Sequence, residues 1–335
     1  MESMAISPEE YTEHDQRIWD EELEEFVPSR IFDAHIHLFD RSHVGPEHPC
    51  GWLNSDLATI RAWAERLYPG REVHFLVLGT PVYGIDVQQH AQWQIEQVRQ
   101  DPLSRVNRLV TPACTCEEIL CDVQQAGVIG LKPYRIFSQT GDIAECRIQE
   151  FFTDAQLSLA DEHGLWVTMH LSRFNGAADE ENLRDLEEYT LRRYPGIKWI
   201  LAHCARSFTY WPIRQAIERL RELPNIWYDV SAVTDVRPLI TLFSQEDTRR
   251  ILFGSDGVDA TYFHGQYAAL GRAWQALDVS QHRLSFPHCD GRPILAIYEQ
   301  LLSMKHAAEI VGLSKEAISE IFWGNAVKAL EIEIA

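Results

Sequence analysis

Two histidines set two residues apart are the first sign of chemistry in this chain. They lie in Phe32-Asp-Ala-His35-Ile-His37-Leu, and because strand side chains repeat every second residue, both imidazoles project to one face of the strand that carries them. Two nitrogens on one face can hold one ion. Further along, His170, His203 and Asp256 each stop an apolar run abruptly: Trp166-Val-Thr-Met, Trp199-Ile-Leu-Ala and Ile251-Leu-Phe-Gly. One such histidine alone usually reads as a hydrogen-bonded core residue, but three ligand-type side chains ending three separate runs indicate a shared site. Neutral imidazole and carboxylate bind zinc, iron, cobalt or manganese, and a catalytic site leaves one position open for water.

Cationic side chains follow the same pattern. Lys132 ends the run before Pro133. The proline biases it to extended geometry and withholds the next donor, which predicts that Lys132 holds the strand's last pairing position. Arg135, Arg173 and Arg206 each lie three residues beyond Lys132, His170 and His203. Singly, each would read as a solvated loop residue or an ion-pair partner. In register, they are expected to begin adjacent loops at the mouth of the site. Guanidinium groups bind carboxylates and phosphates in bidentate fashion, so the expected substrate is a small anion, a carboxylate or acidic sugar derivative. Tyr134 could add a hydroxyl or simply pack its ring.

The elements that must position these residues alternate. β-rich stretches are expected at Ile31–Leu38, Val73–Thr80, Val106–Pro112, Val128–Pro133, Leu165–Leu171, Ile197–His203, Ile226–Val230 and Ile251–Ser255, with helix-length amphipathic segments between them. Eight strand–helix units of roughly 30 residues predict an α/β fold, a (β/α)8 TIM barrel whose chemistry sits at the C-terminal strand ends. An open doubly wound sheet would carry a glycine-rich loop after its first strand, where this chain has His. Residues 1–30 read as an N-terminal arm with a short helix near Glu9–Glu24, and 31–335 as a single barrel domain. Extra C-terminal helices are expected at His264–Leu277, Arg292–Ser303 and Lys315–Leu330. The loop after strand one, with His43 and His48, could cover the site.

Composition narrows the partners. The 335 residues carry 50 acidic and 30 Lys plus Arg side chains, a formal charge of -20, which opposes general attraction to nucleic acid or anionic membrane. With 45% apolar and 24% charged residues the chain has material for a core and no disorder signature. The seven Cys contain no C-x-x-C pair and read as reduced thiols. The acidic start lacks a secretory pattern and no apolar run spans a bilayer, so a cytoplasmic location is expected. A homo-oligomer is compatible with the sequence.

The segments FDAHIHLF, GLKPYR, WVTMHLSR, WILAHCARS, RILFGSDG and SEIFWGNAVKAL resemble successive strand ends and the terminal helix of the amidohydrolase superfamily, over about residues 31 to 331. The likeness is greatest to the branch that includes aminocarboxymuconate-semialdehyde decarboxylase. It implies that His35, His37, His170 and Asp256 bind a divalent metal, commonly zinc. It also implies that His203 is catalytic in one-metal members and a ligand in two-metal members. At Lys132 the alternatives stay open: a carboxylated bridge between two ions, a charge partner for substrate, or a plain strand-end lysine. The expected function is hydrolysis of an amide or lactone in a small anionic substrate by metal-activated water, with Asp256 moving the proton and His203 polarising the carbonyl or acting as base. The alternative is a decarboxylase, hydratase or lyase on the same site. A metabolite-binding barrel without turnover is the remaining possibility.

Overall fold

The computed structural model describes residues 5–279, 282 and 285–334. Eight parallel strands run in chain order: β1 Arg30–His37, β2 Glu72–Leu78, β3 Arg105–Val110, β4 Val128–Pro133, β5 Trp166–Met169, β6 Lys198–Leu201, β7 Ile226–Asp229 and β8 Ile251–Leu252. Helices begin where the side chains of Asp56, Asp86, Thr115 and Thr153 accept the first free backbone N–H groups. The architecture is the expected (β/α)8 barrel.

The seam between β8 and β1 is irregular and forms part of the site. Ala34 N donates to Phe253 O (2.9 Å), Asp256 N to His35 O (2.7 Å) and His37 N to Gly257 O (2.9 Å). The buried Asp33 carboxylate accepts from Ser255 N (2.8 Å) and His35 N (3.1 Å), tying both sides together. A side chain at Gly254 would bring a Cβ within 2.8 Å of His35 Cβ, so glycine permits this approach. The seam therefore sets His35 and Asp256 side by side.

A second cluster joins Phe32, Leu76, Leu78, Ile200 and Leu252 to Trp323 from the terminal helical segment. Arg30, at the start of β1, stacks 4.3 Å over the Trp323 ring, which places this plug at the N-terminal end of the strands. Among the described residues no helix is long and apolar enough to cross a membrane.

The residues before β1 pack into the main core through Tyr11, Trp19, Leu23 and Val27. Asp15, fully buried, accepts from Thr12 N (2.8 Å), His264 Nε2 (3.0 Å) and Leu295 N (3.1 Å). Removing a buried charge acceptor strands its donors, so Asp15→Ala should lower unfolding free energy by about 3 kcal/mol. Urea denaturation checks this, and a loss below about 0.5 kcal/mol would mean the clasp carries no stability.

Two expectations are corrected. Residues His264–Leu277 are not helical but form an antiparallel hairpin, β9 Gly265–Leu270 and β10 Ala273–Asp278. Leu270 pairs with Ala273 across the two-residue loop Gly271-Arg272, and Gly271 (φ 66°) supplies the positive φ such loops need at their first position. Lys132 is not the last paired residue of its strand, because the ladder continues from Leu109–Lys132 to Val110–Pro133. Proline lacks only the donor and still fits the register.

Candidate active site

Histidines from the C-terminal strand ends lie close together. The rings of His35 and His37 lie 5.3 Å apart, those of His35 and His203 4.9 Å, and those of His170 and His203 5.1 Å. His35, His37 and His203 are buried, while the Asp256 side chain keeps 13% of its surface open.

One pattern unites the four imidazoles. His35 Nδ1 meets Asp229 Oδ2 (2.9 Å), His37 Nδ1 meets Leu78 O (3.2 Å), His170 Nδ1 meets Leu171 O (3.1 Å) and His203 Nδ1 meets Ser231 O (3.0 Å). Each partner is an acceptor, so each Nδ1 carries the hydrogen and donates it. On His37, His170 and His203, whose pKa values burial lowers, Nε2 is left as a lone pair. Tyr134 OH donates to one of them, His37 Nε2, at 3.2 Å.

This donor set fits a divalent cation. Asp256 Oδ1 lies 3.2 Å from His35 Nε2 and 3.4 Å from His37 Nε2, acceptor facing acceptors, a juxtaposition that is attractive only with a cation or an added proton between them. The ligand atoms of His35, His37 and Asp256 all lie within 4.8 Å of one another, as do those of His35, His203 and Asp229. His170 belongs to neither group and approaches through His203. Burial works to discharge His35, but Asp229 and then Asp256 outweigh it and raise its pKa to about 9. Burial would likewise raise Asp256, yet His35, His37 and His203 hold it well below the usual carboxylate range.

The turn that presents His203 is strained. His203, Cys204, Ala205 and Arg206 have φ of 57°, 53°, 55° and 58°, a left-handed run without glycine. His203 thus lies beyond β6 rather than on it. His203 N donates to Asp229 Oδ1 at 3.0 Å, which anchors the start of the run. Burial pulls the His203 pKa down to about 4, with Asp256 opposing.

The cations divide. Lys132 Nζ is buried without a hydrogen-bond partner among the described residues and sits 4.6 Å over the Tyr134 ring. Burial, opposed by Asp229 and Asp256, lowers its pKa to about 8. Arg173 is taken: Asp179 accepts from its Nε at 2.6 Å and Glu145 lies 3.2 Å from Nη2, so its charge is already neutralised away from any substrate. Arg135 and Arg206 donate to the carbonyls of Ile143 and Arg173, and neither has a carboxylate within ion-pair distance among the described residues. Burial and then the neighbouring Arg135 lower the Arg206 pKa to about 10.

Sequence reasoning missed three contributors. Asp229 ends the run Ile226-Trp-Tyr as Asp256 ends its own, and that signal was available. Trp52, not His43 or His48, brings the loop after β1 against the site, 5.6 Å from His37, whereas His43 turns to His90 (Nδ1 to Nδ1, 3.3 Å). Phe208 stacks on His203 at 5.2 Å and packs at a tilt against Trp274 of the hairpin at 4.2 Å, an aromatic roof no local pattern announces.

Known proteins share this arrangement of elements. The chain is similar to a probable 2-pyrone-4,6-dicarboxylic acid hydrolase from Acinetobacter baumannii with citric acid bound, at 13% identity over 90% of this chain and 99% of that one, TM-score 0.56. It is similar to a dihydroxybenzoic acid decarboxylase from a Polaromonas species with bound manganese and 2-nitroresorcinol, at 14% identity over 92% and 98%, TM-score 0.54. A third likeness is to the 5-carboxyvanillate decarboxylase of Sphingomonas paucimobilis, at 13% identity over 91% and 100%, TM-score 0.52. At such identities the likeness is one of fold. No curated protein matches the chain. The amidohydrolase family model, however, matches residues 32–332, from the first strand through the terminal plug. The chain belongs to the amidohydrolase family.

Proposed function

We propose that the protein is a divalent-metal-dependent hydrolase cleaving an amide or lactone bond in a small carboxylate-bearing substrate. The observation that carries this reading is that Nδ1 of all four histidines faces a carboxylate or carbonyl oxygen. His35 and His37 would hold one ion through Nε2 with the Asp256 carboxylate, His170 would complete the set, and His203 would be kept for the reacting group. Zinc suits this nitrogen and oxygen donor set, and manganese, bound in the Polaromonas decarboxylase, is the second candidate. When bound, the ion lowers the pKa of a water ligand to about 7 and polarises a carbonyl. Transfer of the water's proton to the leaving atom falls to Asp256, the partly open member, assisted by His203 Nε2, an acceptor in this tautomer. Arg135 and Arg206, free of carboxylates, and Lys132 hold the substrate's anionic groups.

A carboxy-lyase is the second reading, favoured by enclosure. Trp52, Tyr134 and Phe208 pack against the histidines, and a dry site destabilises a bound carboxylate relative to departing carbon dioxide. There the bond from ring carbon to carboxyl breaks and the carbon takes a proton.

Metal-loaded protein offered lactones, N-acyl compounds and aromatic acids, each bearing a carboxylate, separates the readings. Appearance of the ring-opened acid or of the free amine, followed by chromatography, without carbon dioxide supports hydrolysis. Carbon dioxide release replaces it with the lyase, and stoichiometric metal with no turnover replaces both with a binding barrel. On the turned-over substrate, Arg206→Met and Arg135→Met should each raise KM roughly 10- to 100-fold, the worth of a charged hydrogen bond. Unchanged KM in both would remove the arginines from the site.

A further inference from the structure

The geometry points to Asp229 as the positioning residue that couples the metal ligand His35 to the reacting His203. This rests on the metal-site reading above and adds a role that the ligand pattern does not contain. Asp229 ends β7 and is completely buried. Its Oδ2 accepts from His35 Nδ1 at 2.9 Å. Its Oδ1 accepts from His203 N (3.0 Å), Ser231 N (3.1 Å) and Ser231 Oγ. Ser231 Oγ in turn lies 3.1 Å from His35 Nδ1 and 3.0 Å from His203 Nδ1. Both carboxylate oxygens are thus committed to the two histidines and the serine that bridges them.

Two consequences follow for the site. An acceptor-only carboxylate at Nδ1 fixes the hydrogen there and aims the Nε2 lone pair of His35 at Asp256; such partners also raise ligand basicity. The same carboxylate holds the His203 amide where the left-handed run begins, and Ser231 O takes the Nδ1–H, so the residue is held through both its backbone and its ring. A metal ligand and a reacting base are then set by one group. Losing it should disturb both at once.

Asp229→Asn tests this. The amide nitrogen cannot accept, and the single remaining oxygen cannot serve both His35 and the three donors on Oδ1. Zinc and manganese affinity, measured by chelator competition on metal-stripped protein, should fall 10- to 100-fold, and the visible spectrum of the cobalt-substituted protein should shift. Asp122→Asn is the control for losing any buried carboxylate: Asp122 pairs with Arg108 on the outer wall, so that variant should lose thermal stability and keep metal affinity. Wild-type affinity and an unshifted cobalt spectrum in folded Asp229→Asn overturn the assignment while leaving the metal site standing. No metal binding by wild-type protein overturns both. Should Asp229→Asn not fold, nitrogen-15 NMR of zinc-loaded wild-type protein decides: hydrogen on His35 Nδ1 with Nε2 metal-bound supports the role, and the reverse tautomer refutes it.

Discussion

Replacing His203 by Asn should lower kcat on the order of 10³-fold, the usual worth of a positioned base, with metal content and fold retained. Asparagine is the informative choice because position 203 sits at φ 57°, a conformation asparagine tolerates better than most residues. Its amide can also still donate toward Ser231 O, where His203 Nδ1 now donates at 3.0 Å. The imidazole Nε2 is what disappears. Metal analysis alongside kinetics separates two origins of a rate loss: retained metal with lost turnover identifies His203 as the reacting base, whereas metal lost with activity makes it a ligand, as its grouping with His35 and Asp229 would also allow. Near wild-type turnover would exclude it from the mechanism.

The contrast between His203 and Arg173 shows what this sequence can and cannot reveal. Strand positions were legible because apolar runs and their polar stops are local, and the barrel follows from eight of them in order. His35, His37, Lys132, His203 and Asp256 could be found the same way. Partner choice is not local. Arg173 matched Arg135 and Arg206 in spacing, yet Asp179 and Glu145 neutralise it alone, a decision made by how the loops cross. Nor do His-Cys-Ala-Arg propensities predict four left-handed residues; the conformation is imposed from outside, with Asp229 holding its first amide. The hairpin at residues 265–278 departs from the expected helix because Tyr267, Leu270 and Trp274 suit a helical stripe as well as a strand, and only the Gly271-Arg272 turn distinguishes the two.

Lys132 yields the second large effect, with opposite signs on stability and activity. Lys132→Met should leave metal-stripped protein more stable by about 2 to 3 kcal/mol at pH 7 while reducing kcat/KM by roughly 10²-fold. The stabilisation comes from removing an amine that is fully buried, lacks a hydrogen-bond partner among the described residues and has only the Tyr134 ring and more distant carboxylates to offset its charge. Its folded pKa of about 8 lies below the ordinary lysine value, so the unfolded chain binds more protons between these two values and wild-type stability rises with pH there. The advantage of Lys132→Met should therefore be complete below about pH 8 and fade toward pH 10.5. Urea titrations of both proteins across that range measure it. The activity loss follows if the same uncompensated ammonium is kept for a substrate carboxylate, the common pattern of a strained group retained for function. A carboxylated lysine bridging two ions predicts the reverse: wild-type protein would hold close to two ions per chain, Lys132→Met would fall to about one, and its holoenzyme would be less stable. One ion per chain in both proteins, with the variant the more stable, assigns Lys132 to the substrate rather than to the metal.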